Sequence, residues 1–561
     1  MKINSKIAAA VFGLAFAGTA AHAQSLDDTK KAITAEQYQK AKTMLKNLTV
    51  TEATKDENYF YLGWVYIKQN DPDSAKIWFN KGVAVNPKSS LNYVGLGAVA
   101  RLNKDQAGAV SNFNTAIANA AKKDSKPYVY IGRSYLLAPN GGPIAPNSVS
   151  PADAQAAIDV LNKGVAINPK DSELFLALGD ADLTQLKSDA YSNYSTALEL
   201  DPKSAAADVA QGVLIKYANN FEDAIKDFQA ALAIDPNFGP AYREWAETDA
   251  RWAKSDPKVA VDKANEAITQ YKKYLSLTDM SLESQMRYAD FLIFAGKYDE
   301  LEALTKQLSS SASTNLRVYR YLGYAAYNNK DYPAGLTAMN TWMTKADPKR
   351  IIPLDYTYLG HLQIASNQDS LGMQNLRKAY SLDTTQTDVL GEIAKSLYTQ
   401  KKYKESGDAY QLFVTKSKDA TLTDMFREGM AYYFGYDPKK PDSTTLIKAD
   451  SAFSKVQQKA TKPVADVFIY RARVNDLKET DRNNIKGLAK PFYEQYLALE
   501  EAKGVPTDNR TKVNMTEAYD YLGTYYDLIA KDPTKAADYY GKALALTPTD
   551  PQALQYQKKK K

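Results

Sequence analysis

The chain has no cysteine. Disulfides, thiolate nucleophiles and thiolate metal sites are therefore excluded, and stability has to come from packing. Histidine is almost as scarce, with His22 and His361 the only two in 561 residues. Two histidines, one of them in the leader discussed below, cannot make a multi-histidine metal centre. A Ser-His-Asp triad would have to use His361, and nothing near it supplies a nucleophile elbow. Gly-Lys-Ser/Thr phosphate loops, Asp-x-Asp-x-Asp-Gly calcium loops and His-Glu-x-x-His are all missing. Gly95-Leu96-Gly97 begins like a phosphate loop but has no third glycine. No catalytic residue, metal ligand or cofactor is expected.

Long apolar runs are missing too, apart from Ile7–Gly18. That run follows Lys2 and Lys6 and precedes Ala21-His22-Ala23, the order of a secretory signal peptide cut before Gln24. It is too short for a permanent span, and no cysteine follows it to carry a lipid. The expectation is a signal peptide over 1–23 and a periplasmic or secreted chain without a transmembrane anchor. Removing Lys2 and Lys6 lowers the net charge from +6 to +4, which argues against general nucleic-acid binding.

What the chain has in abundance is tyrosine, 40 of them, and these recur at fixed spacing. Tyr59, Leu62, Gly63, Tyr66, Ala75, Phe79, Gly82 and Pro87 return as Tyr93, Leu96, Gly97, Ala109, Phe113 and Ala116, and then as Phe175, Leu178, Gly179, Ala190, Tyr194, Ala197 and Pro202. Residues three and four apart share a helix face, so each period reads as two amphipathic helices. The small residues sit where the two axes come close, and the large ones fill the space beside them. Asn86-Pro87 stops the second helix. One such pair cannot bury its own apolar face, and repetition supplies the missing neighbours.

A period of about 34 residues with this grammar resembles the tetratricopeptide repeat. The resemblance covers nearly the whole chain after the leader. It implies an all-α, right-handed superhelical solenoid of about thirteen helix–turn–helix repeats. The expected division is an N-terminal array over 24–312 and a C-terminal array over 313–561 with a capping helix, the serine run Ser309–Ser311 and Ala312-Ser313 marking the weak point. Asp27–Thr49 reads as an opening half-repeat and Pro551–Gln557 as the closing helix. Turn-rich insertions occupy 138–150 and 435–445.

In this family the first helices of successive repeats line a concave, ligand-binding groove. Carried over by position, the early groove would show Phe60, Trp64, Ile67, Val94, Arg101, Lys126 and Arg133. The middle would show Arg243, Glu247 and Arg251, and the end turns acidic with Asp466, Asp476, Glu517, Asp520 and Asp527 around Arg473. The favoured partner-binding groove comprises Arg317, Arg320, Tyr324, Tyr327, His361, Lys395, Tyr398, Met430, Tyr433 and Phe434, where arginines able to pair a carboxylate lie beside aromatics. The lysine–asparagine–arginine clamp of chaperone-binding members is absent, since Phe60, Trp64, Val94, Ala98, Val129 and Arg133 occupy its places.

These readings point to a non-enzymatic scaffold of the bacterial cell envelope that binds other envelope proteins or peptides in the groove. A carbohydrate- or peptidoglycan-binding module is the first alternative, with groove tyrosines stacked on sugar rings. A hydrolase with paired carboxylates is the second, and it requires two buried acids facing a pocket.

Overall fold

The computed structural model describes residues 25–138, 142–311, 314–481 and 485–560. The expected leader at 1–23, Asn140-Gly141 of the first insertion and Ala312-Ser313 lie outside the described residues. The described residues form 29 α-helices and no strand, from Leu26–Thr34 to Pro551–Lys560. Within each of the chain's two units helices pack in consecutive pairs and neighbouring pairs pack on each other, which is the all-α repeat array that the periodicity implies. The chain divides into two compact units, one up to Leu304 and the other from Thr305.

Each pair is built by the residues that mark the repeat. In the pair Asp56–Lys68 and Pro72–Val85, Gly63 faces Phe79, whose side chain is fully buried. A Cβ added at Gly63 would come within 3.0 Å of the Phe79 ring, so the helices meet at a distance only glycine permits. The same contact recurs as Gly97 on Phe113, Gly179 on Tyr194, Gly212 on Phe228, Gly429 on Phe453 and Gly523 on Tyr540. Met339 fills the ring's place against Gly323, and Leu376 against Gly360. Asn86-Pro87, Asp201-Pro202, Asp235-Pro236 and Thr547-Pro548 each follow directly on the last residue of a second helix.

The turn inside nine of the pairs also repeats, through backbone rather than residue type. Glu36, Asn70, Lys104, Leu186, Asn219, Lys330, Asn367, Lys401 and Lys531 all take the left-handed conformation between the first and second helix. The next helix then starts on a capping side chain in several pairs, such as Asp71 accepting from the Ser74 amide and Asp105 from the Gly108 amide.

The opening segment is a complete pair rather than a half-repeat. Ser25 caps the helix Leu26–Thr34, Glu36 makes the turn, and Tyr38–Thr51 is the second helix. The closing helix Pro551–Lys560 packs on the last pair through Ala553 and Tyr556, the latter 4.5 Å from the Tyr540 ring.

The close contact predicts a position-specific response to one methyl group. Gly63→Ala and Gly179→Ala should each lower stability by about 1–3 kcal/mol through overpacking. Gly541→Ala, in mid-helix with nothing within 4 Å of the new Cβ, should raise it by about 0.5–1 kcal/mol. Urea melting of the three variants checks the contrast, and equal effects would contradict it.

Candidate functional site

The inner face of the N-terminal unit is largely occupied by its own side chains. Phe60, Trp64, Ile67 and Val94, expected along the groove, are buried. Tyr130, two pairs further on, reaches back to this wall. It packs edge-on to Phe60 at 4.8 Å and Trp64 at 5.0 Å between ring centroids. Arg133 is paired with Glu173, Arg101 with Asp153 at 2.9 Å, and Lys126 with Glu57 at 3.1 Å.

In the C-terminal unit, much of the favoured groove is committed to holding the array together. Arg320 donates to the fully buried Asp355 at 2.8 Å and to the Arg350 carbonyl, and its guanidinium lies 4.2 Å from the Trp342 ring. Tyr324, 2% exposed, donates to the other Asp355 oxygen at 2.5 Å and stacks on Tyr358 at 4.1 Å. Arg317 donates to the Tyr321 hydroxyl at 2.7 Å. Arg320 thus acts between neighbouring helix pairs while Arg317 bonds along its own helix, and a buried carboxylate that loses Arg320 would be left uncompensated.

The remaining residues are more open. Tyr327 stacks on His361 at 5.0 Å, and the His361 ring nitrogen is bonded to Glu392. Lys395 is exposed, and Tyr398 packs edge-on against Tyr403 at 5.1 Å. Met430 packs half-buried against the core around Tyr432. Tyr433 lies between Phe434 at 5.2 Å and Tyr470 at 5.4 Å, with Phe434 45% exposed.

Beyond Tyr433 the groove opens into a cavity of about 860 Å³, within the size range of small-ligand and side-chain sites. Tyr433 is the one member of the favoured set that lines it. The other walls come from the helices Ala465–Leu477, Lys490–Glu501 and Asn509–Thr524 and from the turn before Pro551–Lys560. Tyr493, Tyr521, Leu477, Ile485 and Val513 give the walls area, and four carboxylates, Asp476, Glu517, Asp520 and Asp550, face one guanidinium, Arg473.

The charges are not equivalent. Arg473 grips Glu517 with a fork, Nε to Oε1 at 2.9 Å and Nη2 to Oε2 at 2.6 Å, and Tyr493 donates to the same carboxylate at 2.9 Å. Glu517 is thereby neutralised. Asp550 is 7% exposed, and its Oδ2 accepts the Ala553 amide at the start of the closing helix. Asp520 has no ion pair among the described residues, and its Oδ1 is buried without a hydrogen-bond partner. Burial, and then the neighbouring Asp550 and Glu517, push the Asp520 carboxyl up to about 7. Sequence position named Arg473, Asp476, Glu517 and Asp520 as an acidic end of the groove. It missed Asp550, which belongs to a cap turn, and the wall residues Tyr493 and Tyr521.

No family model matches this chain, and no curated protein matches it. Similar solved structures include the C-terminal part of a TPR repeat-containing protein from Cytophaga hutchinsonii, 27% identical, covering 48% of this chain and 98% of that one, with a TM-score of 0.34. A tetratricopeptide repeat protein from Parabacteroides merdae is 17% identical over 44% of this chain and 93% of its own, with a TM-score of 0.30. The Cut9–Hcn1 hetero-tetramer of the APC/C has a chain 15% identical over 87% of this chain and 95% of its own, with a TM-score of 0.29. The protein is a tetratricopeptide-type helical-repeat array, an assignment carried by its own helix pairs and their glycine–aromatic contacts rather than by these overall likenesses.

A carboxyl raised in the folded state is protonated below its folded pKa, while the unfolded chain stays ionised down to about 4. The folded state then holds the extra proton, and stability grows as pH falls from about 7 toward 4 and is lost as pH rises through 7. Asp180 and Asp208, each pushed up to about 6 by burial, and Asp249, pushed up to about 7, act with the same sign. Thermal melting points should therefore fall from pH 5 to pH 8, and Asp520→Asn should flatten part of that slope. An unchanged slope in the variant would contradict the reading of Asp520.

Proposed function

We propose that the protein is a non-enzymatic scaffold of the bacterial cell envelope, binding a partner protein or peptide along the inner face of its C-terminal unit. The cavity beyond Tyr433 carries this reading. It is open and walled by tyrosines, and Asp520 on its wall has no ion pair among the described residues and a buried oxygen without a hydrogen-bond partner. The chemistry that fits is a lysine or arginine side chain of a partner segment, with its stem along Tyr433 and Tyr521 and its charge at Asp520 and Asp550. The leader expected over 1–23 supports placement of the chain in the envelope.

One observation favours a second reading. Asp520 and Asp550 are paired carboxylates in a cavity, one of them titrating near neutrality, as an acid hydrolase would require. Asp550 lies near enough to Asp520 to help raise its carboxyl. Glycosidases hold their carboxyls about 5 Å or more apart, with the scissile bond between them. An acid pair close enough for one carboxyl to raise the other favours holding a cation over hydrolysis.

Titration calorimetry with short lysine- or arginine-bearing peptides, against glutamate-bearing controls, tests the proposal. The expected result is saturable binding of the cationic peptides alone, weaker at high salt and tighter at pH 8 than at pH 6 as Asp520 ionises. Asp520→Asn should weaken it about ten-fold, or roughly 1.4 kcal/mol. Equal affinity for acidic peptides, or no effect of the substitution, would contradict it. Saturable binding of glycan fragments in place of peptides would shift the assignment to a carbohydrate-binding module.

A further inference from the structure

The N-terminal unit makes a contact that a simple stack of repeats does not require. Its first pair touches its seventh. The corner between Leu26–Thr34 and Tyr38–Thr51 lies against the start of Gly239–Ser255 and the end of Ala260–Leu277. Ala35, 3% exposed, belongs to the same apolar cluster as Phe238 and Ala241. A Cβ added at Gly239 would sit 3.0 Å from the Ala35 carbonyl oxygen, so the backbones meet without room for a side chain.

Two carboxylates fasten this corner. Glu36 accepts from Arg243 Nη1 at 2.5 Å and from the Tyr274 hydroxyl at 2.9 Å, across more than two hundred residues of chain. Asp279, in the linker after Ala260–Leu277, accepts the Gln39 amide on both oxygens at 3.1 Å and the Gln69 side-chain amide at 3.3 Å. The Gln39 amide belongs to the first turn of Tyr38–Thr51, whose own N-cap residue, Gln37, makes no side-chain cap. Asp279 therefore caps from a distance a helix that its own sequence leaves uncapped, placing negative charge where the helix dipole favours it.

We infer that the N-terminal unit is a closed ring latched at this corner, with Glu36 and Asp279 as the catch, and that its inner face is shut to lateral entry until the catch releases. The inner wall is consistent with closure. Lys68 keeps contact with water and makes no ion pair among the described residues, yet surrounding protein holds its amine below the usual lysine range. The charges that act on it, Arg133, Glu36, Asp180 and Arg243, come from four different parts of the unit. Such convergence on one side chain is what an enclosed inner face produces. The latch is an autoinhibitory contact: it keeps the inner face of the first unit out of reach and leaves the C-terminal cavity as the open site.

Absence of native cysteine makes the test clean, because spin labels attach only where a thiol is introduced. Labels at Lys46→Cys and Ser276→Cys, both exposed positions on the two sides of the seam, report its width by pulsed dipolar spectroscopy on the full chain. The expected result is one narrow distance distribution, which Glu36→Gln with Asp279→Ala moves to longer and broader distances at unchanged helix content. A narrow distribution that survives both substitutions overturns the latch, as does a broad one in the unsubstituted chain. Should the double variant fail to fold, Asp279→Ala alone decides by amide hydrogen exchange. Exchange at Gln39 is expected to rise at least ten-fold, and unchanged exchange there would overturn the proposal.

Discussion

The close approach of two helices within each pair, glycine backbone against a buried ring, is the constraint on which the rest of the structure depends. It fixes the separation of the helices and hence the surface each pair offers to the next. Phe79, Tyr194, Phe228 and Phe453 are fully buried at this contact. Where the ring is a tyrosine, its hydroxyl must still find a partner. Tyr194 donates to Asp180 at 3.0 Å and Tyr432 to Asp408 at 2.8 Å. The same solution appears at Tyr274 with Glu36, Tyr324 with Asp355, Tyr493 with Glu517 and Tyr521 with Glu479. The abundance of tyrosine is thus mainly architectural. Tyr194 and Tyr540 fill the space a glycine leaves, and hydroxyls such as those of Tyr194, Tyr324 and Tyr521 tie one helix to a carboxylate on another.

That tie decides how much of the inner face remains for a partner. In the N-terminal unit the face is filled by Tyr130 over Phe60 and Trp64, and the corner at Glu36 and Asp279 meets the seventh pair. In the C-terminal unit Arg320 and Tyr324 are consumed by Asp355, and the acidic cavity opens further along, between the helices Ala465–Leu477, Lys490–Glu501 and Asn509–Thr524. Two units of one architecture therefore differ in what they leave free. The difference lies in individual side chains rather than in the fold.

The helix pairs were legible from the chain because the contact that makes them demands residue types, Gly63 with Phe79 and Gly179 with Tyr194, at fixed spacing. The turns between paired helices were not, because Lys104, Lys330 and Lys401 adopt the left-handed conformation that glycine or asparagine would have announced. The opening pair was read as half a repeat for the same reason, its turn residue being Glu36. Side-chain direction was the larger gap. Arg320 and Tyr324 have the composition of a recognition surface, and their partner Asp355 lies in the next pair, where position alone does not show that it points back. Asp550 escaped notice because a cap residue is read as serving its helix, and here its carboxyl also faces the cavity.

The central claim is that partners meet the C-terminal unit while the inner face of the first stays closed. In-cell photo-crosslinking tests it most directly, with a photoreactive amino acid placed in turn at Tyr433, on the cavity wall, and at Lys68, on the inner wall of the N-terminal unit. Specific adducts from position 433 with none from position 68 are predicted. Adducts from position 68 equal to or exceeding those from position 433 would contradict the account.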